Sequence, residues 1–172
     1  MIKSMFLATT IVAAGTVSTL AADPIVYPTP TVTSSAFDWE GFYAGVGASG
    51  AGWSNALTVT TIDAIIGVNF VSGDYLYGLE GLVGYAIDSS SATGHEFAAD
   101  ARIGYLISPE AVIYASAGVG YMSLPDELFG TIGAGAEFAL SDDVSLDFTY
   151  EHWRGNSFSA NRFDASVNWH FN

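Results

Sequence analysis

Residues Ala160 to Phe171 constrain the fold of this chain more than any other stretch. One parity carries Phe163, Ala165, Val167, Trp169 and Phe171, and the other carries Arg162, Asp164, Ser166, Asn168 and His170. Side chains on a strand alternate between faces, so the segment presents one wholly apolar face and one polar, partly charged face. A helical period of 3.6 fits it far less well. The pattern recurs upstream.

From Trp39 the chain divides into eight alternating runs separated by turn signals. The first seven span residues 40–51, 62–71, 75–87, 95–107, 111–122, 128–140 and 144–153, and the opening segment is the eighth. The connections after runs two, four and six are short, and those after runs one, three, five and seven read as longer polar loops. Alternate connections of a meander share an end, which places tight turns at one end and loops at the other. An even number of strands of roughly ten residues with this asymmetry predicts an all-β fold, an eight-stranded antiparallel up-and-down transmembrane β-barrel.

Alternation alone does not say which face points inward, because a soluble barrel would turn its apolar face to the core. The placement of aromatics decides for the membrane. On the apolar face Phe42, Phe70, Tyr77, Tyr105, Phe138, Trp169 and Phe171 fall near the tight-turn end. Tyr85, Phe97, Tyr121, Tyr150 and Phe163 fall near the loop end. Two such girdles match the two interfaces of a bilayer. The polar face carries charges of both signs, and Glu80, Asp100, Arg102, Glu137, Asp147, Glu151, Arg162 and Asp164 are expected to form a structural network in the lumen.

The N-terminus agrees with export. Lys3 precedes an apolar run over residues 5–17 and small residues at Ala21 and Ala22, which reads as a secretory signal peptide over residues 1–22. Residues 23–38 hold three of the five prolines and read as an extended periplasmic leader, leaving 39–172 for the barrel. There is no cysteine, which excludes disulfides and thiol chemistry, and the formal net charge of −14 argues against nucleic-acid binding.

The opening Phe37-Asp38-Trp39-Glu40-Gly41-Phe42-Tyr43-Ala44-Gly45, the Ala-Ala-Asp-Pro junction and the terminal Asn-Trp-His-Phe resemble the small outer-membrane β-barrel proteins of alphaproteobacteria. This porin-like or opacity-like group is related in architecture to the OmpA barrel. The resemblance implies residence in the outer membrane, contact with its lipid and lipopolysaccharide, and a closing strand whose aromatic is read by the barrel-assembly machinery. Here Phe171 is penultimate, before Asn172.

Candidate chemistry is sparse. Glu151, His152 and Ser157 invite comparison with lipid A deacylases, but Arg154 stands two residues after His152 where a serine belongs. His95, His152 and His170 share no ligand spacing, so no metal or other cofactor is expected. The favoured reading is a structural barrel supporting the envelope, with surface loops exposed to the exterior. The alternative is a small passive cation-preferring channel, since carboxylates outnumber arginines on the polar face. A lipid A hydrolase comes third. Val167→Arg should be costly on the lipid face, and Asn168→Arg less so in the lumen.

Overall fold

The computed structural model describes residues 36–54 and 58–171. The expected signal peptide and most of the leader lie outside the described residues. Eight strands follow in order: β1 (Gly41–Trp53), β2 (Thr58–Ser72), β3 (Tyr75–Asp88), β4 (Thr93–Ser108), β5 (Ala111–Ser123), β6 (Asp126–Ala139), β7 (Val144–Arg154) and β8 (Ser159–Phe171). Each pairs antiparallel with its sequence neighbours, and β8 returns to β1 to close the barrel. The closing register runs from Phe42 opposite Phe171 to Trp53 opposite Ala160. Closure leaves no unpaired sheet edge, the condition for crossing a bilayer with strands.

The apolar face points outward. On β8, Phe163 and Phe171 are 54% and 62% exposed, while Arg162, Asp164, Ser166, Asn168 and His170 are buried in the lumen. The same inversion holds on every strand, with Phe42, Ile66, Leu79, Ile103, Val119, Ile132 and Tyr150 all exposed. In water this surface would be a large unfavourable apolar patch; in hydrocarbon it is the solvated face. From Phe163 to Phe171 the strand rises about 27 Å at ~3.4 Å per residue, or about 20 Å along the membrane normal at a tilt of ~40°. An apolar band ~25 Å tall is what such barrels present to lipid.

The aromatics named from the sequence occupy both ends of this band. Toward the termini, Phe42 is opposite Phe171, Phe70 is opposite Tyr77, and the Tyr105 ring meets Tyr75 edge-on at 5.5 Å. Phe138 and Trp169 lie in the same tier, 41% and 44% exposed. At the far end Phe97 is opposite Tyr121, Tyr150 is opposite Phe163, and Tyr85 is opposite His95.

The connections depart from expectation. The far end carries four-residue links after β1, β3 and β7 but only Leu124–Pro125 after β5, and the end bearing the termini has links of two, two and four residues. Among the described residues no connection between strands is a long loop. Residues read as loop, such as Thr58 to Thr61 and Asp126 to Glu127, are strand. The ladder continues past the membrane boundary, where the outward face turns polar at Thr58, Thr60, Thr93, His95, His152 and Asn161. Apolar alternation stops with the lipid, whereas backbone pairing does not. The link after β3 is held by Asp88, whose carboxylate accepts from the backbone N–H groups of Ser90 and Ala92 at 2.8 and 2.9 Å.

Structure also begins earlier than Trp39. Phe37 and Trp39 are 7% and 2% exposed and fold into the barrel end, where the Trp39 indole donates to the Pro109 carbonyl at 3.0 Å. A stretch read as extended leader contributes a plug.

Candidate functional site: the filled lumen

An eight-stranded barrel leaves an interior just wide enough for side chains, and here they fill it in four tiers. The plug nearest the termini packs Phe37 and Trp39 on Leu76 and Val112. His170 meets both plug aromatics edge-on, with ring centroids 4.8 and 5.9 Å away, and stacks on Tyr43 at 5.4 Å.

Above it lies a layer centred on Arg102. Its guanidinium reaches Glu137 at 3.2 Å, Glu80 at 3.7 Å and Asp147 at 3.9 Å, and donates to Asn69 through Nε and Nη2 at 3.2 and 3.0 Å. The Tyr43 and Tyr114 rings flank it at 4.9 and 5.1 Å. The Tyr43 hydroxyl donates to Glu80 at 2.6 Å and the Tyr114 hydroxyl to Asp147 at 2.8 Å. Glu137 accepts from Ser145 at 2.5 Å and from Asn168 at 3.1 Å. Gly67 and Gly135 make room for the two tyrosines: a Cβ at either position would overlap the Tyr43 or Tyr114 ring. Small residues on one strand thus seat large ones from another.

The next layer is centred on Arg162. It donates to Asp63 at 2.6 Å, Glu96 at 2.8 Å and Asp164 at 3.2 Å, and lies over the Trp153 ring at 4.7 Å. The Trp153 indole donates to Glu151 at 2.8 Å. Asp100, between the layers, accepts from Thr131. Beside Arg162, a cavity of about 20 Å³ lined by Glu80, Asp100, Asp147, Glu151 and Asp164 has room for about one water. A second apolar plug closes the far mouth, where Phe129 stacks on Trp153 at 4.4 Å and Phe158 on Trp53 at 4.5 Å, with Met122 and Ala160 beneath.

All eight charged residues named from the sequence face the lumen: Glu80, Glu137 and Asp147 surround Arg102, Asp164 pairs with Arg162, and Asp100 and Glu151 are held by Thr131 and Trp153. Asp63, Glu96, Tyr43, Tyr114, Asn69, Ser145, Asn168 and His170 belong to the same layers and were missed as members. Their parity put them inward, but alternation carries no information about which strands face each other across a barrel. Burying a guanidinium is offset only when its donors and the surrounding carboxylates are mutually satisfied.

Glu151, His152 and Ser157 do not come together. Glu151 points into the lumen and His152 outward, as adjacent strand residues must. Ser157 is engaged by Glu127 through its backbone N–H at 2.9 Å and through its hydroxyl. His152 instead contacts Asn161 at 2.9 Å. Asn168 is 1% exposed, and a Cβ on Gly45 would collide with it, so Asn168→Arg has no free lumen to enter. The lumen around Asn168 is packed with side chains.

Comparison with known proteins agrees with this architecture. The family model described as the outer membrane protein beta-barrel domain matches residues 8–171. The 25 kDa outer-membrane immunogenic protein of Brucella ovis is 28% identical over 171 residues, covering 84% of each chain. The protein of that name in Brucella canis is 28% identical over 158 residues, covering 76% of this chain and 73% of its own. Among solved structures, Neisserial surface protein A superposes with a TM-score of 0.56 at 15% identity, covering 77% of this chain and 98% of that one. Ail, the attachment invasion locus protein of Yersinia pestis, gives 0.56 at 13% identity, covering 77% and 99%. These structures share the fold. With an apolar exterior, two girdles and a closed ladder, the chain is an outer-membrane protein, and it belongs to the outer membrane protein beta-barrel domain family.

Proposed function

We infer that the protein is a structural barrel of the outer membrane, in which no solute passes and no reaction runs through the lumen. One observation carries this reading: between the two apolar plugs the bore holds two arginine-centred layers and a cavity of about 20 Å³. A hydrated cation needs a continuous wet path, and carboxylates attract cations only where such a path reaches them. The relatives in Brucella are named outer-membrane immunogenic proteins, which agrees with a surface role. Lipid and lipopolysaccharide contact the exposed band, and the closing aromatics Trp169 and Phe171 serve recognition by the barrel-assembly machinery.

Ion release from proteoliposomes tests the reading. Vesicles loaded with potassium and carrying the folded protein should leak at the rate of protein-free vesicles. Release that scales with protein content would overturn it in favour of the cation-preferring channel. An open route would have to part the Phe129–Trp153 stack at one mouth and the Phe37–Trp39 pair at the other.

A further inference from the structure

The chain is acidic, with a formal net charge of −14, and its few basic groups are unevenly placed. Among the described residues Arg102 and Arg162 are sealed in the lumen by carboxylates, and Arg154 is exposed on the outer wall with no carboxylate within ion-pair distance. Arg154 ends β7 four residues beyond the girdle residue Tyr150, at the end away from the termini, which the outer-membrane reading turns toward the outer leaflet. The opposite rim carries exposed Asp38, Glu40, Asp74, Glu110, Asp142 and Asp143 and, among the described residues, no lysine or arginine.

Arg154 overhangs a groove of about 530 Å³ lined by Val119, Leu128, Phe129, Gly130, Gly155 and Asn156. Gly130 sits directly opposite Arg154 on β6, and a Cβ there would meet only the Gly118 carbonyl oxygen, at 3.9 Å. Leu128 and Val119, 70% and 65% exposed, form its apolar walls. The nearby carboxylates are engaged elsewhere: Asp126 accepts from the Tyr121 hydroxyl at 2.8 Å, and Glu127 holds Ser157. Beside Arg154, His152, Asn161 and Ser159 form a hydrogen-bonded polar ledge, with contacts of 2.9 and 3.5 Å.

We propose that this groove binds a phosphorylated lipid of the outer leaflet, with the phosphate on Arg154 and an acyl chain along Gly130, Leu128 and Val119. The planar guanidinium fork matches two oxygens of a phosphate, which favours that headgroup over a neutral one. Apolar walls immediately below the charge suit a lipid and not a free ion. Among the described residues, the single outward arginine at this end and the opposite rim, whose charged residues are all acidic, match a membrane whose phosphorylated glycolipid is confined to the outer leaflet. The proposal rests on the outer-membrane reading and adds a specific headgroup site to it.

The test uses the folded mature protein in phosphatidylcholine nanodiscs doped with bisphosphorylated lipid A, with the Nε–H signal of Arg154 followed by NMR. The signal should shift saturably with lipid A. Dephosphorylated lipid A should need at least a tenfold higher fraction, and millimolar inorganic phosphate should leave the signal in place. Arg154→Gln should lower the lipid A retained after exchange into undoped discs by about tenfold, and Gly130→Leu, which fills the groove, by at least threefold. An equal response to dephosphorylated lipid A, a matching shift from inorganic phosphate, or full retention by Arg154→Gln would each overturn the proposal. Heat-dependent gel mobility checks that each variant is a folded barrel. A wild-type protein lacking that shift would refute the barrel reading itself, whereas a folded barrel that retains no lipid A refutes this site alone.

Discussion

Arg162→Met should be the most damaging lumen substitution of comparable size. The guanidinium contacts three carboxylates, Asp63 at 2.6 Å, Glu96 at 2.8 Å and Asp164 at 3.2 Å, and the arginine is 2% exposed. Methionine fills much of the volume but leaves three mutually repelling carboxylates inside a packed barrel. Removing one partner of a buried pair costs ~3–5 kcal/mol, and loss of the stack on Trp153 adds roughly 0.5–1 kcal/mol. Part is recovered as the carboxylates relax toward the Thr61 hydroxyl and the outer mouth, which leaves about 4 kcal/mol. At ~1.4 kcal/mol per decade the folding equilibrium falls by nearly a thousandfold. Urea titration in phosphatidylcholine vesicles, read by the compact and expanded gel bands, measures it. Combining Arg162→Met with Asp63→Asn, Glu96→Gln and Asp164→Asn should restore most of the loss, because the neutral side chains need no cation. A single-variant cost below about 1 kcal/mol, or a quadruple variant less stable than the single, would refute the two-centre description of the lumen.

Three further outcomes follow from the same geometry. Val167→Arg, at mid-depth on the lipid face between Val46 and Leu146, should cost about 2–4 kcal/mol, whereas Thr60→Arg at the outer rim should cost about 0–1 kcal/mol. Equal costs in the urea titration would misplace the bilayer. Gly67→Ala should cost about 1–3 kcal/mol by displacing the Tyr43 ring, and Tyr43→Ala in the same background should remove most of that penalty. Trp39→Ala should cost about 3–5 kcal/mol in the same titration, and a loss under 1 kcal/mol would mean that the residue is not a plug.

Much of the barrel was legible because a membrane protein writes its solvent into its sequence. Phe163 to Phe171 alternate with Arg162 to His170 over the whole thickness of the bilayer, so strand identity and facing are fixed together. The same rule explains the errors. Above the outer girdle the outward face turns polar, so Thr58 and Thr60 continue no apolar alternation although their backbones pair with Gly52 and Gly50. The plug was hidden for a different reason. Phe37 lies beside a proline-rich stretch whose composition predicts an extended chain, and only closure of the barrel creates the cavity that its ring enters. Grouping in the lumen was hidden because Arg162 meets Glu96 across 66 residues, and parity places both inward without bringing them together. The Glu151-His152 pair shows the converse: adjacency in sequence separates two strand residues onto opposite faces.

Planar-bilayer recording on the purified barrel, verified by its heat-dependent gel shift, tests most directly whether the lumen is closed. With both plugs and both arginine layers in place, current at 100 mV in 1 M potassium chloride should stay at the lipid baseline. Reproducible cation-selective steps in the wild-type protein would contradict the filled lumen and make the carboxylates around Arg102 and Arg162 the walls of a pore.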